Sequence, residues 1–107
     1  MQIPEENAKK FVTEIDKAPM QEKIAILKVY LQAKGVQLRD ADAVFYTKFE
    51  HGKMLVQRFA FIYDNYAIMI SLIGTKVVKG IIRLDQEGLK LINELFSHEE
   101  EEPNEKH

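Results

Sequence analysis

From Ala43 onward the apolar residues change their spacing, and this change limits the possible folds more than any other feature of the chain. Four runs, AVFYTKFE, KMLVQRFAFIY, YAIMISLI and KVVKGIIRL, are rich in β-branched and aromatic residues and alternate along their length. His51-Gly52, Asp64-Asn65 and Gly74-Thr75 separate them, and all three pairs suit tight turns. Connections this short join antiparallel neighbours, so the pattern predicts a four-stranded antiparallel meander.

On either side of the meander the spacing is helical. Pro4 followed by Glu5 and Glu6 suits a helix start, since proline loses nothing at the first position and acids favour the positive end of the dipole. Ala8, Phe11, Val12 and Ile15 then predict a helix over 5–17. Ala18-Pro19 interrupts it, because proline disfavours a helical residue before it. A second helix is expected over 20–34, with Met20, Ile24, Leu27 and Leu31 as its stripe, widened by Ile26 and Tyr30, and Gly35 as its stop. After the strands Asp85 can cap a third helix over 86–97, with Leu89, Ile92, Leu95 and Phe96 on its apolar side. Gly88 is expected to weaken that helix by about 1 kcal/mol relative to alanine. The fold class is therefore α+β in the order ααββββα, one domain over 1–97, with the acidic tail HEEEEPNEKH at 98–107 expected to be disordered.

Several function classes lose support. The chain has no cysteine, which removes disulfides, thiolate metal sites and cysteine nucleophiles, and fits a reducing cytoplasm. The stretch MQIPEENAKK lacks a basic region followed by an apolar run, so no signal peptide is expected. No segment approaches the roughly 20 apolar residues that span a bilayer, so no membrane partner is expected. The abundance of Lys and Glu fits a thermophile. His51 precedes a turn glycine, while His98 and His107 lie at or beyond the last helix. HEEEE lacks the second histidine that a zinc-binding helix needs one turn on. Ser71 and Ser97 have no histidine at a spacing that would activate a nucleophile, and GTKVVKG lacks the ending of a phosphate-binding loop. The segment VQLRDADAV is too short and acidic to serve as a recognition helix before a wing. The chain is expected to be no enzyme and to need neither cofactor nor metal.

Charge is uneven. Residues 1–42 are neutral, residues 43–96 carry +2 and residues 97–107 carry −4. Sorting each strand by its own apolar parity predicts one face with Phe45 and Phe49; Leu55, Phe59 and Phe61; Ile68, Ile70 and Leu72; and Val78, Ile82 and Leu84. Thr47 and Gln57 interrupt this expected core face, which the helices should cover. The opposite set holds Tyr46 and Lys48; Val56, Arg58 and Ala60; Ala67, Met69 and Ser71; and Val77, Lys79, Ile81 and Arg83. Cations neutralise phosphates, and tyrosine and guanidinium planes stack on bases. Tyr46, Lys48, Arg58, Lys79 and Arg83 are thus candidate nucleic-acid-binding residues. The same composition suits an ordinary solvated face. Its aliphatic residues would also suit a homodimer or other assembly contact, without any nucleic acid. A ligand-sensing domain with a pocket between sheet and helices is a third class open at this point.

The junction VKGIIRLDQEGLKLINEL resembles the transcriptional-coactivator family of single-stranded-DNA-binding proteins, which end in a Lys-Gly-Ile strand, a leucine, a short acidic cap and an amphipathic helix. Lys79, Gly80, Ile81, Leu84, Glu87 and Leu91 stand where that pattern puts them. The order is also similar to the thermophile single-stranded-DNA-binding proteins called ThermoDBP and their relatives. The resemblance covers the last half of the chain and leaves out the two leading helices. It implies a ββββα domain that binds single-stranded DNA; the reading of the face itself leaves DNA or RNA open, and its aliphatic residues lead to the expectation of a homodimer.

Overall fold

In the computed structural model, residues 5–97 are described; Pro4 and the tail from His98, with His98 and His107, lie outside the described residues. The elements are α1 (Glu5–Lys17), α2 (Met20–Ala33), β1 (Ala43–His51), β2 (Met54–Ile62), β3 (Tyr66–Ile73), β4 (Lys76–Arg83) and α3 (Gln86–Phe96). The fold is α+β in the order ααββββα. No helix lies between α2 and β1, so a winged arrangement is not formed. The chain divides into two compact units, Met1–Asp40 and Ala41–His107.

In the first unit α1 and α2 form a helical hairpin. Phe11 stacks on Tyr30 with ring centroids 4.2 Å apart, and Val12, Ile15, Leu27 and Leu31 are buried. Lys23 joins them in burial, which its sequence position does not suggest. Its ammonium donates to the carbonyl oxygens of Ile15 at 2.7 Å and Asp16 at 2.9 Å. These carbonyls belong to the last turn of α1, where helical acceptors lack partners and the dipole favours a cation. Gly35, with φ +86°, closes α2. The Val36 N–H donates to the Leu31 carbonyl and the Gly35 N–H to that of Gln32, the paired pattern of a glycine-terminated helix.

The second unit is a meander in the order β1-β2-β3-β4 with all neighbours antiparallel. Gly52 and Gly74, with φ +66° and +62°, open the two-residue loops Gly52-Lys53 and Gly74-Thr75. A left-handed glycine at the first loop position matches the twist of the flanking strands. Asp85 caps α3, accepting from the Gly88 N–H at 2.9 Å. Gly88 approaches the end of β4 so closely that a Cβ there would fall on the Arg83 carbonyl oxygen. At the far end of α3, Phe96 meets Phe45 of β1 with ring centroids 6.0 Å apart. The eight steps from Gly88 to Phe96 cover about 12 Å, and three strand spacings cover about 14 Å. The helix is therefore the right length to cross the whole sheet, from β4 to β1. Ala60 and Ala67, both fully buried, lie on the same face between those contacts.

The register corrects the sorting of faces. Directly opposed residues share a face, and the pairs Tyr46 with Phe59, Phe59 with Ile70 and Ile70 with Lys79 all join opposite number parities. The reason is geometric: two-residue loops make the residue numbers of each pair sum to an odd value. One face, here called the α3 face, carries Phe45, Thr47 and Phe49; Val56, Arg58 and Ala60; Ala67, Met69 and Ser71; and Val78, Gly80 and Ile82. The other carries Tyr46 and Lys48; Gln57, Phe59 and Phe61; Ile68, Ile70 and Leu72; and Val77, Lys79, Ile81 and Arg83. The expected grouping holds for β2 with β3. It is reversed for both edge strands, so no single phenylalanine-rich face exists.

Candidate nucleic-acid interface

Four of the five candidate residues share a face. Tyr46 and Lys48 stand on β1, and Lys79 and Arg83 on β4, all opposite the α3 face. Arg58 does not join them. It lies on the α3 face, its guanidinium 4.9 Å from the centre of the Phe49 ring. A platform containing all five is therefore not formed, because Arg58 belongs to the parity that β2 shares with the odd residues of β1.

The four on the common face are also divided. Between Tyr46 and Lys79 the cross-sheet row runs through Phe59 and Ile70, both fully buried. Gln57, Phe61 and Leu72 around them are 0%, 1% and 0% exposed. The middle of this face is core, and the cations occupy its two edges, about 14 Å apart at three strand spacings.

The two edges differ in character. On β1 the Tyr46 hydroxyl donates to Gln57 Oε1 at 2.6 Å, and its ring packs 4.9 Å from that of Phe59. This tyrosine satisfies a buried amide, so its polar end is engaged in the fold. Lys48 is exposed two residues before the exposed Glu50. On β4, by contrast, Lys76, Lys79, Gly80 and Arg83 are all exposed, and Ile81 is 66% exposed between Lys79 and Arg83. The strand KVVKGIIR contains no acid. Its outer backbone edge has no neighbouring strand among the described residues.

Tyr66 adds an aromatic ring to this edge. It is paired with Arg83 in the register, half-buried, and stacked on Tyr63 at 5.0 Å. Parity sorting misses it because it places the even residues of β3 with the core. Its signal is its position next to the Asp64-Asn65 turn, where a strand end opens to solvent. Asp64 and Asp85 flank the Arg83 end, since the Leu84 N–H donates to the Asn65 carbonyl at 3.0 Å. The Lys79 end is thus the more purely cationic part.

Among the described residues no group of three or more His, Asp or Glu side chains could hold a metal ion. No helix among them is long and apolar enough to cross a membrane. Comparison with protein-family models, curated proteins and solved structures gives no match to this chain.

Proposed function

We propose that this chain is a small, non-enzymatic protein that binds single-stranded nucleic acid along the β4 edge of its sheet. The observation that carries the reading is the composition of that edge: Lys79 and Arg83 exposed on one face, with Ile81 66% exposed between them and no acid in the strand. Four residues of strand separate the two cations by about 13 Å, so each can meet a different phosphate. Tyr66, beside Arg83, supplies an aromatic plane for a base, and Ile81 an apolar contact. The ββββα order of residues 43–96 is the one that the resemblance to coactivator-type single-stranded-DNA-binding proteins implies, and it supports the same reading.

Fluorescence titration with labelled single-stranded DNA and RNA at several salt concentrations tests this. Affinity should fall with salt. The double variant Lys79→Ala with Arg83→Ala should bind about 10- to 100-fold more weakly, with a salt slope shallower by about 1.4, roughly 0.7 for each lost phosphate contact. Arg58→Ala, on the other face, should leave binding unchanged. Absence of binding at low salt, or full binding by the double variant, overturns the proposal.

A second reading, an assembly module without a nucleic-acid role, is favoured by the exposed apolar side chains Val29, Met54, Val78 and Ile81.

A further inference from the structure

The helical hairpin carries an open apolar groove of about 420 Å³, lined by Phe11, Ala25, Ile26, Val29 and Tyr30. Val29, one of its lining residues, is 67% exposed. The ends of the groove carry opposite charges. Glu22 precedes Ile26 by one turn, and the two line a neighbouring depression together with Glu14 and Lys17, so that end carries one net negative charge. At the other end the Lys34 ammonium sits 5.5 Å from the centre of the Tyr30 ring.

We propose that this groove is an interface for a second copy of the chain, α2 lying antiparallel on α2 about a two-fold axis. The lining residues of α2 are symmetric about a point between Leu27 and Lys28: Ile26 and Val29 stand equally far from it, and so do Ala25 and Tyr30. The axis would therefore place Val29 on the second copy's Ile26 and the large Tyr30 on its small Ala25. It would also bring Glu22 to within one residue, about 1.5 Å along the axis, of the level of the second copy's Lys34. Symmetry makes that contact twice. Opposed helix dipoles favour the same orientation.

The charge pattern is what selects a second copy as occupant, since a surface that is acidic at one end and basic at the other complements itself when reversed. The exposed strand β4 lacks this property. It carries Lys76, Lys79 and Arg83 without an acid, so pairing it with itself would bring cations together. The inference is independent of the nucleic-acid reading, and its experiment contains no oligonucleotide.

Light scattering and sedimentation over a concentration series should give a dimer for the full chain. Val29→Glu should give a monomer with an unchanged circular-dichroism spectrum. Glu22→Lys and Lys34→Glu should each weaken association by about tenfold, two surface ion pairs being lost per dimer. The two reversals combined should restore it. A wild-type chain that stays monomeric, a Val29→Glu variant that still dimerises, or a combined reversal no tighter than either single one would overturn the proposal.

Discussion

Strands β3 and β4, YAIMISLI and KVVKGIIR, are neighbours of equal length, eight residues each, and both are rich in aliphatic residues, although β4 also carries Lys76, Lys79 and Arg83. Yet β3 buries Ala67, Met69, Ile70 and Leu72, from both of its faces, while β4 has no buried residue. The same contrast separates β2, with five buried residues on both faces, from β1, where only Thr47 is buried. Position in the meander differs in both comparisons, and in β4 it is joined by three cations that β3 lacks. A central strand is flanked on both sides, so neighbouring side chains close over it. An edge strand has one neighbour and keeps half its surface. Stability therefore belongs to β2 and β3, and the edges are left available for contacts with other molecules.

The sharpest way to break this contrast is to truncate one residue from each class. Phe59→Ala removes a fully buried ring and should cost about 3–5 kcal/mol, whereas Ile81→Ala, on the edge, should change stability by less than about 0.5 kcal/mol. Denaturant unfolding measures both. Comparable losses would mean that the edge is as much a part of the core as the centre.

Next in size is Gly88→Ala, which tests how α3 crosses from one edge of the sheet to the other. Helix propensity alone gives a gain of about 1 kcal/mol. The structure reverses the sign. The added methyl would meet the Arg83 carbonyl oxygen, a backbone atom with no freedom to turn aside. The substitution should instead cost about 1–3 kcal/mol, as over-filled sites do. A stabilised Gly88→Ala variant would show that α3 can lift away from β4 without penalty.

These two cases also mark what could be read from residues alone. The seven described elements were legible because spacing, turn pairs and caps agree locally: Gly35 ends α2, Asp85 caps α3, and each strand end lies within one residue of its apolar run. Face assignment needed one more step. Parity within a strand says which residues go together, but only loop length says how one strand's parity joins the next. Phe45 and Phe49 attract assignment to the side of Phe59 by character, while the two-residue loop at Gly52-Lys53 sends them to the opposite side. Other features had no local signal. Burial of Lys23 depends on the carbonyls of α1, eight residues back in sequence, and the tight fit at Gly88 depends on where β4 ends. For the candidate site this means that Lys79 and Arg83 remain a pair, Tyr46 and Lys48 stand at the far edge, and Arg58 separates from all of them.

The smallest effects compare two polar residues that are both fully buried, one on each face. Gln57 accepts a hydrogen bond from Tyr46, which ties the β1 edge to the centre of the sheet. Thr47, on the α3 face, is 0% exposed, and its hydroxyl has no hydrogen-bond partner among the described residues. Removing one member of a pair and removing an unpaired group should act in opposite directions. Tyr46→Phe strips a donor from a buried amide and should cost about 1 kcal/mol or more. Thr47→Val replaces an unsatisfied hydroxyl with a methyl of similar size and should be neutral or stabilising by up to about 1 kcal/mol. Because the two residues are adjacent in β1, a difference in sign cannot arise from their place along the strand. It would have to come from the face each one points to, and so tests the register directly. If Thr47→Val were the more destabilising of the two, the odd residues of β1 would not lie where the pairing with Arg58 puts them.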